Sequence, residues 1–241
     1  MAAIELDRAP VRSAGRGFYL VMSLVMAAVF VGGFSQTVPV DFAAHPGLPL
    51  LLHVHGAIFT LWVLLIVAQP ALVRRGSLGL HRRLGWVGAG LAAAMIVMGL
   101  AATFFSIRYH RVPSFFPPPV FLVMNTLGIL VFGGLVGAGV RLRRQAEWHK
   151  RLMLCATVSI LGPGLGRLLP MGSFGAAAPL VMFGVIALFA FAGPVHDLLT
   201  RRRVHPAYVW GVATILITEV AIGPLAFAPP TAALVSLIQA T

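Results

Sequence analysis

The chain has 241 residues, of which 59% are hydrophobic and 10% charged, with a formal net charge of +12 and a mean hydropathy of +0.94. A soluble domain carries roughly 25% charged residues, so a water-soluble globule and a disordered chain are both excluded. In a soluble protein the basic excess would suggest nucleic acid; here its meaning depends on where the charges sit relative to the apolar runs.

Arg8, Arg12 and Arg16 precede an apolar run that begins at Phe18. At about 20 residues that run is long for a cleaved signal peptide and reads as a retained first helix. A membrane-spanning helix needs about 20 mainly apolar residues. Seven stretches qualify, over residues 18–38, 49–73, 84–106, 118–140, 152–169, 175–195 and 207–228. The breaks between them carry turn residues or charge: Pro39, Arg74-Arg75-Gly76, Pro113 with Pro117-Pro118-Pro119, the basic run 141–151, Pro170-Met171-Gly172 and Arg201-Arg202-Arg203. The tail 229–241 is apolar but too short to span, and is expected to lie flat at the interface. The expected fold is therefore an all-α integral membrane protein. A basic N-terminal segment 1–17 precedes a seven-transmembrane-helix bundle over 18–228, and the short tail follows it.

The charges then acquire a direction. The N-terminal segment and the second, fourth and sixth connections hold fifteen of the eighteen Lys and Arg residues, and the other side holds Arg108, Arg111 and Arg167. By the positive-inside rule the N-terminus is cytoplasmic and the C-terminus outside. The lipid bilayer is the partner implied, not nucleic acid. Trp86, Trp148, Tyr208 and Trp210 fall near the same cytoplasmic face, as interfacial anchors do.

Several chemistries are absent from the sequence. Cys155 is the single cysteine, so neither an internal disulfide nor a cysteine-based metal site is available. Lys150 is the single lysine and lies in a polar connection, which excludes a buried Schiff base. No phosphate-binding glycine motif and no nucleophile elbow occurs.

Ionisable residues inside a bilayer are functional candidates by default. At about 1.5 Å of rise per residue, His53, His55, Asn125, Arg167 and Glu219 all fall in the outer half of the membrane. They are expected to converge on a polar site for a substrate or ion. Arg167 stays charged and follows Leu161-Gly162-Pro163-Gly164-Leu165-Gly166, a segment that bends or breaks a helix. Arg167 and Glu219 can pair at this depth; alternatively Arg167 snorkels to the interface. His53 and His55 lie about 200° apart on a helix, so one of them faces the bundle interior.

A second set, His81, His149, His196-Asp197 and His205 with Gln69 nearby, lies at the cytoplasmic ends. His81 and His149 sit at helix N-termini, where the dipole favours neutral imidazole, the form that ligates haem iron. His81-Arg82-Arg83-Leu84 and His149-Lys150-Arg151-Leu152 are also alike, 68 positions apart. The two could flank one haem b, although both precede the first apolar residue of their segments.

His53 ahead of Gly56, Gln69-Pro70, His81-Arg82-Arg83-Leu84-Gly85-Trp86, His149-Lys150-Arg151-Leu152-Met153 and Arg167 together resemble a bacterial family of multi-pass membrane proteins of unknown function. Its marks are HRxLG at one helix start, HxRxM at a later one, and an arginine near the end of that later helix. The resemblance covers about residues 50–170. It implies a multi-pass inner-membrane protein and marks His53 or His55, His81, His149 and Arg167; it supplies no activity. A looser likeness to b-type cytochrome bundles rests on intramembrane histidines alone, without the regular pairing of deep histidines those bundles have.

Three functions compete. The first is a haem- or quinone-linked redox protein with His81 and His149 as axial ligands. The second is a small-solute or proton-coupled transporter that uses Glu219, Arg167 and His55. The third is a membrane assembly protein without chemistry of its own.

Overall fold

A computed structural model describes residues 9–44, 47–114 and 116–240. Of the basic N-terminal stretch, Arg8 lies outside these residues, as do the side chains of Arg12 and Arg16. The described residues form α1 (Ala9–Ala44), α2 (Leu50–Arg74), α3 (Leu78–Arg108), α4 (Pro118–Arg141), α5 (Ala146–Val158), α6 (Gly162–Leu168), α7 (Ala178–Arg201), α8 (Pro206–Ala226) and α9 (Pro229–Ala240). A 3-10 turn, Met171–Ala177, leads into α7. No strand occurs among the described residues. Residues Gly17–Val40 of α1 and the whole of α2, α3, α4, α7 and α8 are long and apolar enough to cross a membrane. The chain is an all-helical, multi-pass membrane protein.

Local sequence sets the helix ends. Pro118, Pro179 and Pro206 stand in the first turns of α4, α7 and α8, where a missing N–H is no loss and the fixed φ suits a helix. The His205 ring caps α8 by accepting from the Ala207 N–H at 3.1 Å. Gly76, at φ +78°, makes the three-residue turn between α2 and α3, a backbone shape that side-chain-bearing residues rarely adopt.

The apolar run 152–169 does not form one helix. It divides into α5 and α6 around Ser159, Ile160 and Leu161. Pro163 is the cause: it has no N–H to give the Ser159 carbonyl four residues back, and its ring would collide with that carbonyl. The run 175–195 also differs from expectation. It begins in the 3-10 turn, and its helix continues to Arg201.

The broken pair is the centre of the bundle. α5 and α6 pack against α1, α4, α7 and α8. Leu152, Leu154, Cys155, Ala156, Val158, Leu161 and Leu165 are all buried, with Trp62, Met95 and Phe132 from α2, α3 and α4 in the same core. α5–α6 also runs beside α1. At one end the Lys150 ammonium lies 5.3 Å from the Tyr19 ring centre. At the other, Arg167 donates to Thr37 at 3.1 Å and lies over the Phe34 ring at 4.4 Å. Between them Gly33 meets the backbone of Gly164 with no room for a side chain. The tail is helical: α9 packs on α3 and α4 through Val235, Ile107 and Leu122.

Candidate functional site

The ends of the helices that carry Arg74, Arg141, Lys150 and Arg201 lie together and hold two polar clusters. The first is built on His81 of α3 and His149 of α5. Their ring centres are 6.2 Å apart at an interplanar angle of 78°. Both rings are half-buried.

Each ring has its Nδ1 engaged. His149 Nδ1 lies 2.9 Å from the Gly139 carbonyl oxygen. A carbonyl only accepts, so this nitrogen carries the proton, and Nε2 of the neutral ring is bare. His81 lies against Gln69 of α2, with its Nδ1 beside the Gln69 side-chain amide and a hydrogen bond to the Gln69 backbone.

The second cluster surrounds Arg151, which is 1% exposed, and Asp197, which is 0% exposed. Arg151 Nε and Nη2 donate to the two Asp197 carboxylate oxygens at 2.9 and 2.5 Å. Arg151 Nη1 donates to the Glu147 carbonyl at 2.9 Å and to its carboxylate at 2.6 Å. Lys150 and Arg201 reach the same carboxylate at 2.7 and 2.5 Å. The His205 backbone N–H donates to Asp197 at 3.1 Å. The guanidinium lies over the Tyr208 ring at 5.2 Å, and the Tyr208 and Tyr19 hydroxyls are 3.2 Å apart.

This network ties α5, α7, α8 and α1 into one end plate. Burial works against the ionised Glu147, but the hydrogen bonds and charges of Lys150 and Arg151 outweigh it and hold the carboxyl down at about 2. His205 is pushed below the ordinary imidazole range, first by burial and then by the nearby Arg151 charge. The Trp148 ring meets His205 edge to face at 5.3 Å, between the two clusters.

At the opposite end the expected polar layer is spread out. His55 lies 3.2 Å from the Met98 carbonyl through Nδ1, stacks on Phe59 at 4.2 Å, and is near enough to Arg167 for their charges to interact. Arg167 donates to Thr37 and, at 2.9 Å, to the Pro163 carbonyl. His53 is on the exposed side of α2. Asn125 donates back to Phe121 of its own helix at 2.8 Å. Among the described residues no ion pair joins Glu219 to Arg167. His55 and Arg167 lie within electrostatic range of each other, whereas Asn125 and Glu219 make no bond to either.

Sequence reasoning placed Gln69 near the histidines without a role, missed the Gly139 carbonyl, and read Arg151 as one topogenic arginine among many. The available signal for the last was Asp197, an acid at the end of an apolar run, which has to find a cation if it is buried. No protein family, curated protein or solved structure matches the chain.

Proposed function

We propose that this is a seven-pass bacterial inner-membrane protein, N-terminus in the cytoplasm and C-terminus outside, that moves protons between its cytoplasmic histidine pair and its outer-half polar residues, as a proton-coupled transporter of a small solute does. Two observations support the seventh pass. α5–α6 accompanies α1 from the level of Tyr19 to that of Thr37, about 27 Å at the usual helical rise, and fifteen of eighteen basic residues belong to one side.

The observation that carries the proton reading is the meeting of two half-buried imidazoles, His81 and His149, with ring centres 6.2 Å apart and His149 Nδ1 on the Gly139 carbonyl, which leaves His149 Nε2 as the proton acceptor. Glu219, with no bond among the described residues, is the natural proton carrier of the outer half, and Arg167 with His55 the anion-facing part.

The test is proton flux into vesicles. Protein reconstituted with a trapped pH-sensitive dye, under a proton gradient alone, acidifies the lumen faster than protein-free vesicles do. His149→Ala removes the acceptor and Glu219→Gln the outer carrier, and each brings the rate back towards the protein-free value. A wild-type rate equal to that of protein-free vesicles overturns the reading.

A haem-linked reading has one observation in its favour: His149 presents a bare Nε2, the ligand form. A Soret band in the purified protein, lost in both His81→Ala and His149→Ala, would favour haem over proton transfer.

A further inference from the structure

We infer that the first turns of α3 and the turn between α4 and α5 form a binding site for the phosphodiester headgroup of an anionic phospholipid, built from Arg82, Arg83 and Arg143 around Trp86. The inference is independent of the proton reading.

Folding gathers these charges from two connections. Arg82 and Arg83 precede Trp86 by four and three positions on α3, so both lie on the Trp86 side of that helix. Arg143 belongs to the turn between α4 and α5, yet its guanidinium lies 5.1 Å from the centre of the Trp86 ring. Its Nη1 also donates to the Val140 carbonyl at 3.2 Å. All three arginines are exposed. A purely topogenic arginine needs only to stay on its own side of the membrane. It does not need to be held on an indole beside the charges of another turn.

The chain does not neutralise this group. Among the described residues the carboxylates at this end are Glu147 and Asp197, and their ion pairs go to Lys150, Arg151 and Arg201. Three like charges left so close repel one another, and an anion from outside the chain relieves that. Guanidinium groups suit a phosphate, whose oxygens accept paired N–H bonds.

The surroundings make the anion a lipid. Trp86 is 61% exposed and Val87, the next residue, 62%. Both stand on a helix long and apolar enough to cross a membrane, so these side chains face acyl chains, and the indole marks the headgroup level. A phosphate over the three arginines continues into chains that lie along Trp86 and Val87. A soluble phosphate has nothing to set against that apolar surface.

Native mass spectrometry of the full-length chain in neutral detergent, with phosphatidylglycerol or phosphatidylcholine added, counts bound lipids. The wild type should retain phosphatidylglycerol in preference to phosphatidylcholine. Arg82→Gln with Arg143→Gln should weaken phosphatidylglycerol binding by at least about tenfold. Arg202→Gln with Arg203→Gln, between α7 and α8, removes the same charge and should leave binding nearly unchanged. Trp86→Leu keeps an apolar surface but removes the seat of Arg143, and should give an intermediate loss. If the first pair fails to fold, Arg83→Gln alone carries the same comparison. Equal retention of the two lipids by the wild type overturns the inference. So does an equal loss in the two arginine pairs, which would mean that net charge alone attracts the lipid. Displacement of the lipid by an equal concentration of inorganic phosphate would make this a site for a soluble anion, and would also overturn it.

Discussion

Arg151 of α5 and Asp197 of α7 are joined by a two-point ion pair at 2.9 and 2.5 Å that solvent does not reach. The residues are 46 positions apart, and the pair fixes how the central broken helix meets α7. A charge buried this way is tolerated because its partner and the surrounding donors and acceptors satisfy it.

Removing one partner should therefore be severe. Asp197→Ala strands a buried guanidinium and should destabilise the protein by about 3–5 kcal/mol, read as a lowered melting temperature in detergent. The double change Arg151→Met with Asp197→Leu removes both charges and should recover most of that loss. A double variant less stable than Asp197→Ala would mean that the charges themselves, and not their mutual neutralisation, hold this end together.

The same end plate makes stability depend on acid. The Glu147 carboxyl is held at about 2 against an ordinary 4.5, so the folded state binds its proton later than the unfolded chain does. Its contribution is complete above about pH 4.5 and is lost as the pH falls from there towards 2. His205, also lowered, loses its contribution as the pH falls below the ordinary imidazole value of 6.5. Both slopes run the same way. Melting temperatures should fall on acidification, and Glu147→Gln should flatten the lower part of the curve. An unchanged acid slope in that variant would remove Glu147 from the explanation.

Much of this architecture is legible in the sequence, and the exceptions have physical reasons. Apolar runs and proline or arginine punctuation locate the long helices, because a bilayer demands about 20 apolar residues per pass. Pro163 and its flanking glycines flag the broken segment. Counting residues from a helix end gives depth, and on that count Arg167 and Glu219 belong to the same half. Depth does not give direction around a helix axis: Arg167 on α6 turns towards Thr37 of α1, while α8 packs its buried face on α4 and α5. The Arg151–Asp197 pair is hidden for a different reason, since an arginine within a basic run looks topogenic until packing buries it. The histidine pair is half legible. Its depth is readable, but the contact of His149 with the Gly139 carbonyl is set by packing that no residue pattern announces.

Close contact between α1 and α6 gives a packing prediction. A methyl group on Gly33 would run into the Gly164 backbone, whereas one on Gly137 meets open space. Gly33→Ala should destabilise by about 1–3 kcal/mol, because a backbone rather than a flexible side chain must yield. Gly137→Ala should be neutral or stabilising by up to about 1 kcal/mol. Equal melting temperatures for the two variants would contradict the contact.

Orientation is checked with single cysteines. Cys155 is buried against Gly211, so Cys155→Ser provides a background for Arg111→Cys and Arg144→Cys, both at exposed positions. A membrane-impermeant thiol reagent on intact cells should label Arg111→Cys and reach Arg144→Cys only after permeabilisation. Labelling of both from the same side would break the seven-pass arrangement.

The central claim is that His81 and His149 work as one unit in moving a proton. The most direct test is a double-mutant cycle on vesicle proton flux with His81→Ala, His149→Ala and the double variant. Two rings that share one transfer fail together, so the account predicts that either single change removes the flux and the double change removes no more. Single losses that multiply in the double variant would show two independent sites, and flux that survives either change would show that the pair is not on the proton's path.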